Sequence, residues 1–286
     1  MGVVQRIRYQ AVEGLRAGRF NRGVNTAATC YRLGSTLIDS GCANRWPQVR
    51  SFVREQLLRQ LLLTHHHEDH SGNAARIQQM TGARVLASGL ALQPLATGWR
   101  LRPYQQLLFG RPQRLIAEPV PDLVELEGGY RLQVIGTPGH ADDMVCYLEA
   151  EHGWLFSGDL FVGDRTRFLR QDEGLGELLE SLRKILTCDF QILFCAHRGV
   201  VKDGKRAISA KLQHLESLCD SSRELYRQGL PPAEISRRLL GREELVSLVT
   251  GYHFSKRNLI RACLQLVEKV DHGVAEYTGE TEFPGR

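Results

Sequence analysis

The sequence predicts a layered α/β domain followed by an all-helical carboxy-terminal region. Short apolar runs, the continuous Leu61-Leu62-Leu63 and Phe190 to Cys195 (FQILFC), have the length and composition of buried strands. Stretches with helical periodicity alternate with such runs as far as about residue 200. Beyond about Lys205 the strand-like runs stop and helical segments dominate. The expected division is therefore 1–200 for the α/β domain and 201–286 for the helical region.

In chain order, the amino terminus, Met1 to Arg8, is broken by arginines before an apolar stretch can form, so neither a secretory signal nor a membrane span is legible there. Gly34 to Ser40 reads as a short strand ending in Asp39. Trp46-Pro47 opens a helix whose apolar positions are Val49, Phe52, Val53 and Leu57. The strand at 61–63 stops at Thr64, where a run of histidines begins. Gly72 to Thr81 looks helical with Gly82 as its terminator, and Val85 to Ala87 is the next strand. Residues 89–120 hold Pro94, Pro103, Pro112 and Pro119 without clear periodicity. They read either as a connecting loop with a short helix or as a wall or lid beside the site. Strands follow at 131–135, 145–149 and 154–156, then a helix at Leu175 to Leu186 and the strand at 190–195. In the helical region, segments span 206–227, 232–240 and 255–270, with Pro231-Pro232 and Ser255 as helix starts. The last dozen residues are polar and are expected to fray.

Composition narrows the function classes. Of 286 residues, 42% are hydrophobic and 24% charged, which permits an ordinary buried core. The net charge of +5 is modest and its Lys and Arg are spread out, unlike the clustered patch of a nucleic-acid binder. The seven cysteines are odd in number and none form a Cys-x-x-Cys pair, which argues against a disulfide framework or a cysteine zinc site. They fit a reducing compartment, and cytoplasmic residence is the expectation.

The chemistry concentrates in Thr64-His65-His66-His67-Glu68-Asp69-His70-Ser71-Gly72. Four residues able to bind a metal, His65, His67, Asp69 and His70, fall within six positions between a buried strand and a helix. Imidazole nitrogen and carboxylate oxygen suit zinc, iron or manganese. Without a cation such a cluster is costly, because charged imidazoles repel and the carboxylate is poorly compensated. Three further polar residues each stand just past an apolar strand: His140, Asp159 and His197. Side chains from separate strand ends can gather at one edge of a sheet.

The segments HHHEDH (65–70), TPGH (137–140), FSGD (156–159) and CAH (195–197) resemble the motif pattern of the metallo-β-lactamase superfamily, and Asp39 in LIDSG matches its first, structural motif. The resemblance implies an αββα sandwich with the site at the sheet edges. It implies two divalent metal ions: one held by His65, His67 and His140, the other by Asp69, His70 and His197, with Asp159 bridging. It also implies hydrolysis by a bridging hydroxide, whose parent water loses its proton near pH 7 beside such cations. Asp69 is, by the same resemblance, the group that passes a proton to the leaving group. One departure is visible: Ala196-His197-Arg198 stands where many members have Gly-His-Gly. Arg198 is expected to narrow the pocket or to contact an anionic substrate.

His66 and Glu68 alternate with the ligands and are expected to point away from them. Asp142 and Asp143 read either as carboxylates that orient His140 or as a plain turn. His152, His214, His253 and His272 have no ligand context. The wording TPGH-x-DD and the helical tail resemble an intracellular thioesterase-like branch, whose terminal helices cover the active site, and an endoribonuclease branch. Ester or thioester hydrolysis of a small molecule is the preferred reading, with Arg165, Arg167, Arg170, Lys256 and Arg257 as candidate contacts for an anionic acyl group. Phosphodiester or RNA cleavage, glyoxalase-type hydrolysis of glutathione thioesters, and a non-enzymatic ligand- or protein-binding regulator are the alternatives. The apolar stripe Leu259, Ile260, Leu264 and Val267 is expected to pack on the core or on a second subunit, as in a homodimer.

Overall fold

The computed structural model describes residues 2–20 and 26–275, with side-chain environments to residue 266. The expectation of a frayed end, the role given to His272 and the placement of the Val267 side chain concern positions outside these. The chain forms two compact units, one of residues Met1–Thr166 and Asp172–Leu212, the other of residues Arg167–Gln171 and Gln213–Arg286.

In the first unit, β1 (Val3–Tyr9), β2 (Val12–Gly18), β3 (Ala28–Leu33), β4 (Thr36–Ile38), β5 (Gln60–Leu62), β6 (Arg84–Ala87) and β7 (Glu118–Pro119) lie side by side in chain order. β1 to β4 pair antiparallel, and β4 to β7 pair parallel. The parallel strands need crossovers, which helices supply: α1 (Trp46–Val53), α2 (Ala74–Thr81), α3 (Gly89–Thr97) and α4 (Pro103–Phe109). A second sheet contains β8 (Leu123–Glu125), β9 (Arg131–Gly136), β10 (Val145–Glu149) and β11 (Trp154–Phe156). After β12 (Leu169–Arg170), which belongs to the second unit, α5 (Leu175–Leu186) leads to β13 (Ile192–Cys195) and β14 (Gly199–Val201). The order across this sheet is β14-β13-β11-β10-β9-β8.

Alternation along the strands builds the layers. Tyr31, Leu33, Ile38, Leu62 and Leu86 face Val145, Tyr147, Trp154, Phe156 and Phe194 between the two sheets. Their chain neighbours Cys30, Leu37, Leu61, Leu63 and Val85 face the other way, onto Val49 and Phe52 of α1, Ala74 and Ile77 of α2 and Leu95 of α3. On the second sheet, α5 buries Leu178, Leu182 and Ile185, and Ser181 Oγ donates to Pro138 O at 2.7 Å. The result is an αββα sandwich.

The second unit is helical: the later part of α6 (Gly204–Arg227), then α7 (Pro232–Leu240), α8 (Leu245–Val249) and α9 (Lys256–Ala275). β15 (Phe254–Ser255) pairs antiparallel with β12. Pro232 occupies the first turn of α7, and Ser255 Oγ accepts the Asn258 amide at 3.1 Å to start α9. Leu259, Ile260 and Leu264 of the tail stripe are buried. No helix among the described residues is long and apolar enough to cross a membrane.

Several elements differ from the expectation. β1, β2 and β3 were not legible. β1 is an edge strand whose arginines stand in solvent, so its apolar alternation is weak. Residues 89–120 form two helices and a short strand rather than a loop with a single helix, because Pro103 opens α4 while Pro94 is tolerated inside α3. α1 ends at Val53, which leaves Leu57 exposed.

Candidate metal centre

β9 and β11 both pair antiparallel with β10, and β13 pairs parallel with β11, so β9, β11 and β13 run in one direction. Their carboxyl ends therefore lie at the same edge of the sheet. His140, Asp159 and His197 follow those ends. The 65–70 loop follows β5 of the other sheet, and the Val145 amide donates to Thr64 O at 2.8 Å, joining the two sheets at that edge.

The loop is fixed from below by Asp39. This residue adopts a left-handed backbone (φ 60) just past β4. Its carboxylate accepts the Thr64 amide at 2.8 Å and the Thr64 hydroxyl at 2.9 Å, and lies 2.8 Å from His70 Nδ1. Close approaches demand glycine at two positions. A Cβ on Gly72 would stand 2.5 Å from backbone atoms of Ala43, Glu68 and Gly41. On Gly139 (φ +131) it would stand 2.4 Å from Leu178 N of α5.

Four of the five imidazoles have one nitrogen committed outward, which fixes the other. His65 Nδ1 lies 3.0 Å from Thr64 Oγ1, whose own hydrogen is given to Asp39. Nδ1 of His70 donates to Asp39, that of His140 to Glu173 Oε1 at 2.6 Å, and that of His197 to Ala27 O at 2.9 Å. The remaining nitrogens converge. His67 Nδ1 and His140 Nε2 are 3.0 Å apart. Asp159 sits among the rest: its carboxylate is 3.3 Å from His70 Nε2, 3.3 Å from His140 Nε2 and 3.0 Å from His197 Nε2. Asp69 lies slightly farther off, 3.8 Å from His70 Nε2 and 3.7 Å from His197 Nε2. Three sets of donors, His65/His67/His140, His65/His70/Asp159 and Asp69/His70/His197, each fall within 4.8 Å of one another, close enough to hold a cation.

The buried donor atoms His65 Nε2, His70 Nε2 and Asp159 Oδ1 have no hydrogen-bond partner. Orphaned buried polar atoms are rare, and three in one cluster of imidazole and carboxylate form a donor set that fits divalent cations. The electrostatics carry the same signature. Burial, reinforced by His70 and His140, holds the His65 imidazole well below its ordinary range. Burial also opposes charge on His70, but Asp159, Asp39 and Asp69 outweigh it and hold His70 well above. His197 is raised to about 9, burial again being outweighed by Asp159. Asp159 in turn is held well below the carboxylate range by His197, His70 and His140 despite its burial.

All seven sequence-predicted ligands are thus brought together. Of the two readings of Asp142 and Asp143, the one that has them orient His140 is not what is observed. Asp143 does not orient His140. It accepts the His66 amide at 2.8 Å and sits 2.9 Å from His66 Nδ1, because the turn after His140 folds back onto the 65–70 loop. Asp142 is exposed. Glu173, just before α5, takes the role at His140 instead. No local pattern announces it: 33 positions separate the pair. Glu68 is buried and accepts from Gln105 of α4 at 2.8 Å, so the 89–120 segment is anchored to the ligand loop.

Among the candidate substrate contacts, Arg165 and Arg198 are exposed in the first unit, and Arg198 Nε donates to Val162 O at 3.1 Å. Arg257 is exposed in the second unit, 6.0 Å over the Tyr252 ring. Lys256 is corrected: it is buried, and its ammonium donates to Leu240 O and Arg242 O at 2.8 Å and pairs with Glu244 at 3.0 Å. A buried ammonium needs such partners, and here they commit it to the end of α7. Arg167 also pairs with Glu244.

A family model described as the metallo-beta-lactamase superfamily matches residues 26–197. The chain is 28% identical over 203 residues to an atrochrysone carboxyl ACP thioesterase of Aspergillus fumigatus, a match that covers 67% of this chain and 56% of that one. It is 29% identical over 187 residues to the hydroxyacylglutathione hydrolase of Methylobacillus flagellatus, covering 64% of this chain and 66% of the other. In fold it is similar to a metallo-beta-lactamase family protein from Thermus thermophilus, with a TM-score of 0.60 at 18% identity over 95% of this chain and 93% of that one. The chain spans little more than half the length of the Aspergillus relative. With the family model covering most of the first unit and ending on the last of the strand-end histidines, the chain belongs to the metallo-β-lactamase superfamily.

Proposed function

We propose that the protein is a metal-dependent hydrolase of an ester or thioester, working at a two-cation centre. In this reading His65, His67 and His140 hold one cation, Asp69, His70 and His197 hold the other, and Asp159 lies between them. The observation that carries it is a trio of buried atoms without a hydrogen bond, His65 Nε2, His70 Nε2 and Asp159 Oδ1, the last two facing each other at 3.3 Å, inside a shell of committed Nδ1 atoms. Zinc is the proposed metal, and iron and manganese suit the same donors. When bound, such cations supply Lewis acidity and lower the pKa of water.

The chain's own residues supply the rest. Asp39, Glu173 and Ala27 O hold the Nδ1 protons of His70, His140 and His197, so the inward nitrogens keep their lone pairs. Asp69, the carboxylate to which the resemblance assigns proton transfer, sits at the edge of the cluster, 3.8 Å from His70 Nε2 and 3.7 Å from His197 Nε2, and is the group proposed to exchange a proton with the leaving group. Thioester chemistry is favoured because the similar proteins include a thioesterase and an acylglutathione hydrolase. Arg165 and Arg198 are proposed as exposed cations for an anionic acyl substrate.

The test is an assay of metal-reconstituted protein on acyl-coenzyme A and acyl-pantetheine thioesters, with RNA and a phosphodiester dye in parallel. Thiol release that needs metal and disappears in Asp69→Asn is expected. Metal-dependent RNA cleavage without thiol release contradicts the proposal in favour of the phosphodiester reading.

A further inference from the structure

Five of the seven cysteines have sulfurs directed at backbone carbonyls: Cys30 at Leu15 O, Cys42 at Thr26 O, Cys146 at Ser157 O, Cys188 at Lys184 O and Cys195 at Phe161 O. Burial pushes the Cys30 and Cys146 thiols up to about 12 and Cys195 to about 11, which makes them inert. Cys219 and Cys263 are different. Cys219 lies in α6 and Cys263 in α9, both within the 213–286 part of the second unit, and their sulfurs are 3.0 Å apart. That separation is about 1 Å beyond a covalent S–S bond, so closing it needs only small side-chain rotations.

We infer that Cys219 and Cys263 are an oxidisable dithiol, closed by a hydroperoxide into a reversible disulfide that joins α6 to α9. The two sulfurs are not equivalent. Cys219 keeps 6% exposure and Cys263 none. Cys219 Sγ donates to Cys263 Sγ, so a single proton lies between the two sulfurs, and Cys219 is the one that solvent reaches. Cys219 is therefore the attacking sulfur and Cys263 the resolving one. In the first step the Cys219 thiolate attacks hydrogen peroxide, an S–O bond forms and the O–O bond breaks. Cys219 loses two electrons to become a sulfenic acid, and the departing hydroxide takes a proton to become water. In the second step the Cys263 sulfur displaces the hydroxyl group. The S–S bond forms, the S–O bond breaks, and the thiol proton leaves with the hydroxyl as a second water. The bond spans 44 positions and encloses α7 and α8, tying the first and last helices of the unit together. A dithiol reductant reopens it by exchange.

The test uses the full chain treated with stoichiometric hydrogen peroxide, alkylated and digested with trypsin under non-reducing conditions. The expected product links peptide 212–223 to peptide 262–269 with the loss of two hydrogens, and dithiothreitol separates them. The closed form is expected to unfold at a midpoint about 5 °C higher, reversibly, with no such shift in Cys263→Ser. Peroxide consumption that leaves both peptides unlinked, or links either to a different cysteine, overturns the inference. Peptide mapping of the wild-type chain decides this even if a serine variant fails to fold. Equal midpoints for the open and closed forms overturn the claim that the bond constrains the unit.

Discussion

His140, Asp159 and His197 each stand within four positions of the end of a buried strand, and His65, His67, Asp69 and His70 crowd the one loop that follows β5, which is why the proposed ligands were legible. Residues that act across the fold leave no such trace. Asp142 and Asp143 looked like the partners of His140 because they follow it in sequence, yet Asp143 serves His66 and the His140 contact comes from Glu173. Chain adjacency is a poor guide where the backbone turns sharply. Replacing Glu173 by Gln keeps the shape but removes the charge behind His140, and metal affinity is expected to fall by about 10–100-fold with the fold intact. Chelator competition monitored alongside circular dichroism measures both. Asp69→Asn is expected to lower kcat for thioester hydrolysis by about 100-fold or more while leaving the unfolding midpoint unchanged. Activity that survives the change removes Asp69 from the proton path.

Elements were legible where apolar periodicity is strong and unbroken. Leu175 to Leu186 and Pro232 to Leu240 match the observed α5 and α7 end to end. The amino-terminal strands were not, because β1 exposes Arg6 and Arg8 at a sheet edge and β2 carries Gly14 and Gly18. Strand signals weaken when one face is solvated by long charged side chains and the other is glycine. The stretch 89–120 was ambiguous because its prolines fall in two helices, Pro103 opening one and Pro94 lying inside the other. At this scale the most constrained contact is between α5 and the turn that carries His140. Gly139→Ala drives a Cβ to 2.4 Å from Leu178 N at a left-handed φ, so backbone must move. A loss of about 1–3 kcal/mol is expected in denaturant unfolding, accompanied by weaker metal binding because His140 shifts with the turn. An unaffected midpoint shows that α5 yields more readily than the packing suggests.

Across the whole molecule, the candidate centre couples the two sheets of the first unit, since its side chains come from both. In the metal-free protein the cross-sheet contact is His70 with Asp159 at 3.3 Å, and a second pair, Asp159 with His197, lies within the second sheet's edge. Asp159 raises His197 to about 9 from an ordinary 6.5, so the stabilisation from that pair is complete below about 6.5 and is lost as pH rises through about 9. Asp159, held well below 3.8, contributes stability above that value that is lost as pH falls through its depressed pKa. Chelator-treated protein is thus expected to show a falling unfolding midpoint between pH 7 and 10, and Asp159→Asn to flatten it. The change of texture near Lys205 led to an expected boundary at 200/201, whereas the compact units part after Leu212; the return of residues 167–171 to the second unit was not legible, because β12 is only two residues long. The account stands or falls on metal content. After reconstitution with zinc and thorough desalting, elemental analysis of the full chain is expected to find two ions per chain, and fewer than one in Asp159→Ala; a wild-type chain that retains none contradicts the account.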